Sequence, residues 1–121
     1  MESVAFITTE SGGDLIVAIA IAAPESFSGI QSLILLRTPK YEFFLDESER
    51  GVRVTFERNR AAEAVTLEAV EYSEADQIVR LRTASARYNL DVRKVEAKDL
   101  KRMRKVFRLM NFDQNFQASG L

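Results

Sequence analysis

The sequence predicts an α+β fold: a largely antiparallel β-sheet of about six or seven strands with one C-terminal amphipathic helix. Three observations predict it. Apolar runs of strand length are closed by glycine, proline or aspartate. Between Val52 and Val92 apolar and polar residues alternate with a period of two. From Leu100 onward the period changes to about 3.6. A chain of 121 residues, 46% apolar, fits one domain over residues 1–121 and can bury a core.

Val4-Ala5-Phe6-Ile7-Thr8 reads as the first strand, and Ser11-Gly12-Gly13-Asp14 forms the turn that closes it. Residues 15–22 follow as a central strand. Leu15, Val17, Ile19 and Ile21 make one bulky face, and Ala18, Ala20 and Ala22 make a small one that would let a helix or second sheet approach closely. Pro24 ends this strand, and a loop carrying Phe27 leads to Gly29. Leu33-Ile34-Leu35-Leu36 is the next strand, stopped at Arg37-Thr38-Pro39. Residues 40–51 keep neither period and read as a loop with a helical turn.

Val52, Val54 and Phe56 then share the buried face of a strand. Residues 59–62 turn the chain into a strand over 63–72, with Val65, Leu67 and Ala69 on one face. A polar loop at residues 73–76 precedes a strand with Val79 and Leu81 inward. After a break at Ser85-Ala86 comes another, with Tyr88, Leu90 and Val92. Leu100, Met103, Val106, Phe107 and Met110 define an amphipathic helix over about residues 96–111. Asp99 suits its positive N-terminal end, Arg104, Lys105 and Arg108 its negative C-terminal end, and Asn111 its stop. The tail is expected to pack through Phe112 and Phe116 and to fray from about residue 117.

Composition excludes several kinds of chemistry. With no cysteine there is no disulfide, thiol nucleophile or thiolate metal site. With no histidine the usual general base near neutral pH and the commonest metal ligand are missing. The chain therefore reads as non-enzymatic, with no catalytic residue, metal or cofactor assigned. The longest apolar run, residues 15–23, is far shorter than the roughly 20 residues a membrane-spanning helix needs. No basic segment precedes it, so neither a membrane span nor a signal peptide is expected, and the expected compartment is the cytoplasm.

Charge is segregated along the chain. Residues 93–108 hold eight Lys/Arg and two acids, whereas residues 1–92 hold nine Lys/Arg and fifteen Asp/Glu. Such segregation points to a protein partner or to self-association, including a homodimer. Lys98, Lys101, Arg102, Lys105 and Arg108 form the basic helix face, suited to an acidic protein surface or simply to solvation. The pI near 5.6 argues against nucleic acid.

The second candidate surface is the loop of Tyr41, Glu42, Phe44, Asp46, Glu47 and Glu49, where negative charge adjoins aromatic anchors. It lacks the alternating oxygen ligands and central glycine of a calcium loop. The blander reading has Phe43 and Leu45 packing inward while the acids pair with Arg50 and Arg53. Arg80 and Arg82 share a strand face and are placed to meet Glu68 or Glu71 across the sheet.

An apolar strand ending in arginine (Leu35-Leu36-Arg37) leads to Glu42-Phe43, an acidic run with glycine (Asp46-Glu47-Ser48-Glu49-Arg50-Gly51) and a strand ending in Glu57. This order resembles a family of small β-rich immunity proteins from bacterial polymorphic-toxin systems. A glycine-rich segment expected in that family before Glu63 is absent here. The resemblance implies a cytoplasmic protein that binds and neutralises a cognate toxin. The competing expectations are a small ligand-binding domain or carboxylate-based enzyme, and a self-associating structural domain.

Overall fold

The structure is a computed structural model that describes residues 1–23, 29–57 and 65–121. Its strands are β1 (Glu2–Ser11), β2 (Leu15–Ala22), β3 (Ile30–Arg37), β4 (Arg53–Phe56), β5 (Val65–Ser73), β6 (Ile78–Thr83), β7 (Arg87–Asp91) and β8 (Gln117–Ser119). One helix, α1 (Ala97–Met110), lies between β7 and β8, and two short 3₁₀ turns, Pro39–Phe44 and Glu47–Glu49, lie between β3 and β4. The expected loops around Phe27 and at residues 59–62 fall outside the described residues.

The strands are ordered β4-β3-β2-β1-β7-β6-β5-β8, and a further pairing of β4 with β5 closes the first seven into a ring. Two strands turn the corners of this ring. β1 pairs with β7 through Glu2 and Ser3 and with β2 from Val4 onward. β5 pairs with β4 through Val65 and Thr66, and with β6 and β8 further along. Each corner strand carries a bulge at its change of partner, with Ala5 inserted in β1 and Glu68 in β5. An extra residue bends a strand and raises its twist, which lets one strand belong to two sheets.

The described sheet has eight strands, more than the six or seven expected, and it is mixed. β1 runs parallel to β7, and β5 parallel to β8. Residues 117–119, expected to fray, form β8. Beyond it Gly120, at φ +76°, passes so close to Tyr72 that a Cβ would meet its carbonyl oxygen. The bulge at Glu68 also shifts the phase of β5. Leu67, Val70 and Tyr72 are buried, while Ala69, expected to share the face of Leu67, is half-buried.

One apolar cluster joins Val17, Ile19 and Ile21 of β2 with Leu33 and Leu35 of β3 and with Leu100, Met103, Val106, Phe107 and Met110 of α1. The helix contacts β1 and β2. The bulky side of β2 faces this core; on the alanine side Ala18 is half-buried, Ala20 buried and Ala22 exposed. The helix residues thus share a cluster with the bulky face of β2, not with its alanines. Fully burying side chains of this size contributes about 1.5–3 kcal/mol each relative to exposure, so the helical stripe is a principal source of stability.

Candidate functional site

Leu33, Leu35 and Arg37 occupy alternate positions of β3, and all three are buried. The pleat therefore drives a guanidinium into a core-facing position, where an unpaired charge is strongly unfavourable. The fold compensates it completely. Arg37 Nε and Nη2 donate to Glu42 Oε2 and Oε1 at 2.8 Å each. Nη1 donates to the Met110 carbonyl oxygen at 2.7 Å and to Asp113 Oδ1 at 2.9 Å, and Nη2 donates to Asp113 Oδ2 at 2.8 Å. An arginine side chain has five N–H donors, and all five are engaged.

The ring of Phe112 lies 4.3 Å from Arg37 Cζ. The Gly51 N–H donates to Glu42 Oε2 at 3.3 Å. Met110 is the last residue of α1, so Arg37 also satisfies a helix-end carbonyl at the negative end of the dipole.

The electrostatics follow from this geometry. Hydrogen bonding to Arg37 holds the Glu42 and Asp113 carboxyls below the usual carboxylate range, against burial, which raises them. Burial by itself would lower the Arg37 pKa, but its bonds to Asp113 and Glu42 outweigh that effect and raise it. The cluster ties the end of β3, the first 3₁₀ turn, Gly51 and the end of α1 to one charge.

This anchor decides which way the neighbouring side chains point. A 3₁₀ turn has three residues per turn. Pro39, Glu42 and Leu45 fall on its inner side, with Glu42 buried and the other two half-buried. Tyr41, Phe43 and Phe44 are left outside at 57%, 70% and 74% exposure. Phe43 and Phe44 stack on each other with ring centroids 3.9 Å apart. Lys40 Nζ sits 5.1 Å from the Tyr41 ring. Asp46, Glu47 and Glu49 are exposed beside them.

Of the six residues expected in the acidic loop surface, five are thus exposed together. Glu42 is removed from that surface, because its carboxylate is committed to Arg37 and Gly51. The inward packing considered for Phe43 is not found, and Leu45 is only half-buried. Arg50 Nε donates to the Leu45 carbonyl oxygen at 3.3 Å.

Lys98, Lys101, Arg102, Lys105 and Arg108 are all exposed on α1. Lys98 lies 3.3 Å from Glu96, Arg102 lies 3.8 Å from Asp99, and Arg108 donates to the Leu121 carbonyl oxygen at 2.9 Å. Arg104 instead covers the Tyr72 ring, with its guanidinium carbon 5.4 Å from the centroid. The Arg37 cluster grips the Met110 end of the helix. Lys98 lies about 18 Å from it along the axis at 1.5 Å per residue, whereas Arg108 is only two residues from Met110, so the basic face runs from the far end of the helix up to this grip. Across the sheet, Arg80 meets Glu71 at 3.1 Å and Arg82 meets Glu68 at 3.8 Å. These are exposed pairs of small energetic weight.

Sequence reasoning missed Asp113, Phe112 and the Met110 carbonyl oxygen as partners of Arg37. The phase of Arg37 with Leu33 and Leu35 was the available signal that it points inward, whereas nothing local marks a partner 76 residues away. Among the described residues no group of three or more Asp or Glu is arranged to hold a metal ion, and no helix is long and apolar enough to cross a membrane. Compared with protein-family profiles, curated proteins and solved structures, the chain matches none of them.

Proposed function

We propose that this chain is a protein-binding domain that acts by surface complementarity, with the turn at residues 39–49 as its principal contact. One observation carries the reading. A buried ion cluster uses all five donors of Arg37 to fix the turn on which three large aromatic rings stand exposed. A single exposed aromatic is ordinary, but neighbouring ones on a rigid turn supply contact area with little ordering cost on binding. Asp46, Glu47 and Glu49 border the rings with negative charge, which steers a basic partner and suppresses acidic ones.

The specific form we favour is an immunity protein that neutralises a cognate bacterial toxin in the cytoplasm. The strand, Glu-Phe pair, acidic run and glycine between Leu35 and Gly51 support it. They are also the segment that builds the exposed turn. Co-expression with the product of the neighbouring gene tests this form. Rescue of growth together with a co-purifying complex is expected, and both should weaken when Phe43 and Phe44 are replaced by serine. Loss of neither rescue nor complex in that double variant would remove the turn from the interface. Absence of both with the unaltered chain would remove the immunity reading.

A further inference from the structure

β1 has a free edge. Its first residues pair with β7 through Glu2 and Ser3, but over residues 6–11 it pairs with β2 alone. Among the described residues no other backbone hydrogen bond reaches residues 6–11. At about 3.3 Å per residue, this leaves roughly 20 Å of strand with every second residue's N–H and C=O directed away from β2. Proteins commonly blunt such an edge with lysine or proline. The stretch Phe-Ile-Thr-Thr-Glu-Ser has neither, and it is rich in β-branched and aromatic residues.

The edge opens onto a groove rather than onto bulk solvent. A cleft of about 550 Å³ lies between β1 and α1, lined by Phe6, Thr8 and Ser11 from the strand and by Asp99, Arg102 and Lys105 from the helix. That volume lies within the usual range for ligand clefts. Phe6 is 49% exposed, so an apolar contact is offered beside the backbone donors and acceptors. The far wall presents two cations, Arg102 and Lys105, and one acid, Asp99, which lies 3.8 Å from Arg102.

We propose that the β1 edge and the basic side of α1 bind an extended acidic segment of another protein as an added strand. Backbone pairing to residues 6–11 supplies the register, and carboxylates on the segment meet Arg102 and Lys105. Charge decides against a second copy of this chain. Pairing β1 with itself about a two-fold axis normal to the sheet would set two basic helices on the same side of the joined sheet, and their like charges oppose that arrangement. The proposal uses none of the rings of the aromatic turn; the turn meets the β1–β2 hairpin beyond Ser11, where Thr38 donates to Asp14.

The probe is a fluorescein-labelled, amidated octapeptide of alternating Glu and Val, titrated into the full chain at low ionic strength and followed by anisotropy. Saturable binding is expected, with slowed hydrogen exchange at the amides of residues 6–11. The Arg102→Glu, Lys105→Glu double variant, which alters only exposed side chains, should weaken binding about tenfold. The same peptide N-methylated at alternate residues should fail to bind, because half of its strand donors are removed. Phe43→Ser with Phe44→Ser should leave the peptide affinity unchanged. Equal binding of the N-methylated peptide, or of a single-stranded oligonucleotide at the same salt, would overturn strand addition in favour of a general anion surface. Dimerisation of the free protein, abolished by the peptide, would overturn the choice of occupant. No binding of the unmodified peptide at millimolar concentration would overturn the proposal outright.

Discussion

Arg37 and Glu42 meet through two parallel N–H···O bonds of 2.8 Å, with the guanidinium wholly buried and the carboxylate nearly so. A buried pair of this kind is a weak source of net stability, because removing both charges from water costs nearly as much as their attraction returns. Breaking it is another matter, since the surviving partner stays buried and unmatched.

Arg37→Met is therefore expected to destabilise the protein by about 3–5 kcal/mol in urea unfolding. Met is close in length but satisfies neither Glu42, Asp113 nor the Met110 carbonyl oxygen. Arg37→Lys should recover only part of the loss, because a single ammonium cannot form two bidentate pairs. Equal stability of Arg37→Lys and the unaltered protein would show that the fork geometry is irrelevant.

Acid should unfold the protein by releasing this cluster. Hydrogen bonding to Arg37 depresses the carboxyls of Glu42 and Asp113 in the folded state. In the unfolded chain such groups titrate near about 4, so in the acidic range the unfolded state binds more protons than the folded one. The stabilisation is present above that value and is lost as pH falls through the lower folded-state values. Urea midpoints measured from neutral pH downward should fall steeply, and Glu42→Gln should flatten that fall while lowering stability at neutral pH. Parallel curves for the two proteins would place the acid sensitivity elsewhere.

Gly51 is held at φ +130°, and a Cβ there would lie 2.5 Å from Asn115 Oδ1. Its N–H meanwhile donates to Glu42. Gly51→Ala is expected to cost about 1–3 kcal/mol for the backbone conformation alone. Combining it with Asn115→Ala should relieve the contact but not the torsion, so chemical denaturation of the double variant should show partial recovery. Full recovery would mean that crowding, not backbone strain, is the cause.

The parts of this structure that were legible in the sequence are those whose signal is local. The ends of β2 are legible because bulky residues alternate with three alanines between a glycine turn and a proline. α1 is legible to within a residue at each end, because its apolar stripe has a period of its own. The strand count fell short because β8 is three exposed residues with no apolar signal, held only by backbone pairing to β5. The phase of β5 is not legible because Glu68 resets the alternation, and a bulge is fixed by the partner strand rather than by its own sequence. At the candidate site, Tyr41, Phe44 and the exposed acids could be found from their crowding in one short segment, whereas Phe43 was equally a candidate for inward packing. The inward turn of Glu42 could not, since it depends on Arg37 and on a helix end far along the chain.

That division between Glu42 and its neighbours yields the sharpest test of what the turn is for. Phe43 and Phe44 are 70% and 74% exposed and stack on each other, so replacing both with serine removes almost no buried contact. Surface substitutions of this kind usually change stability by no more than about 0.5 kcal/mol. The urea midpoint of the double variant should therefore match that of the unaltered chain, whereas Arg37→Met should lower it sharply. Two phenylalanines kept at the surface without serving stability are an expense in solubility that a folding role does not explain. If the double variant proves as unstable as Arg37→Met, the rings are part of the fold's support and the binding surface must be sought elsewhere.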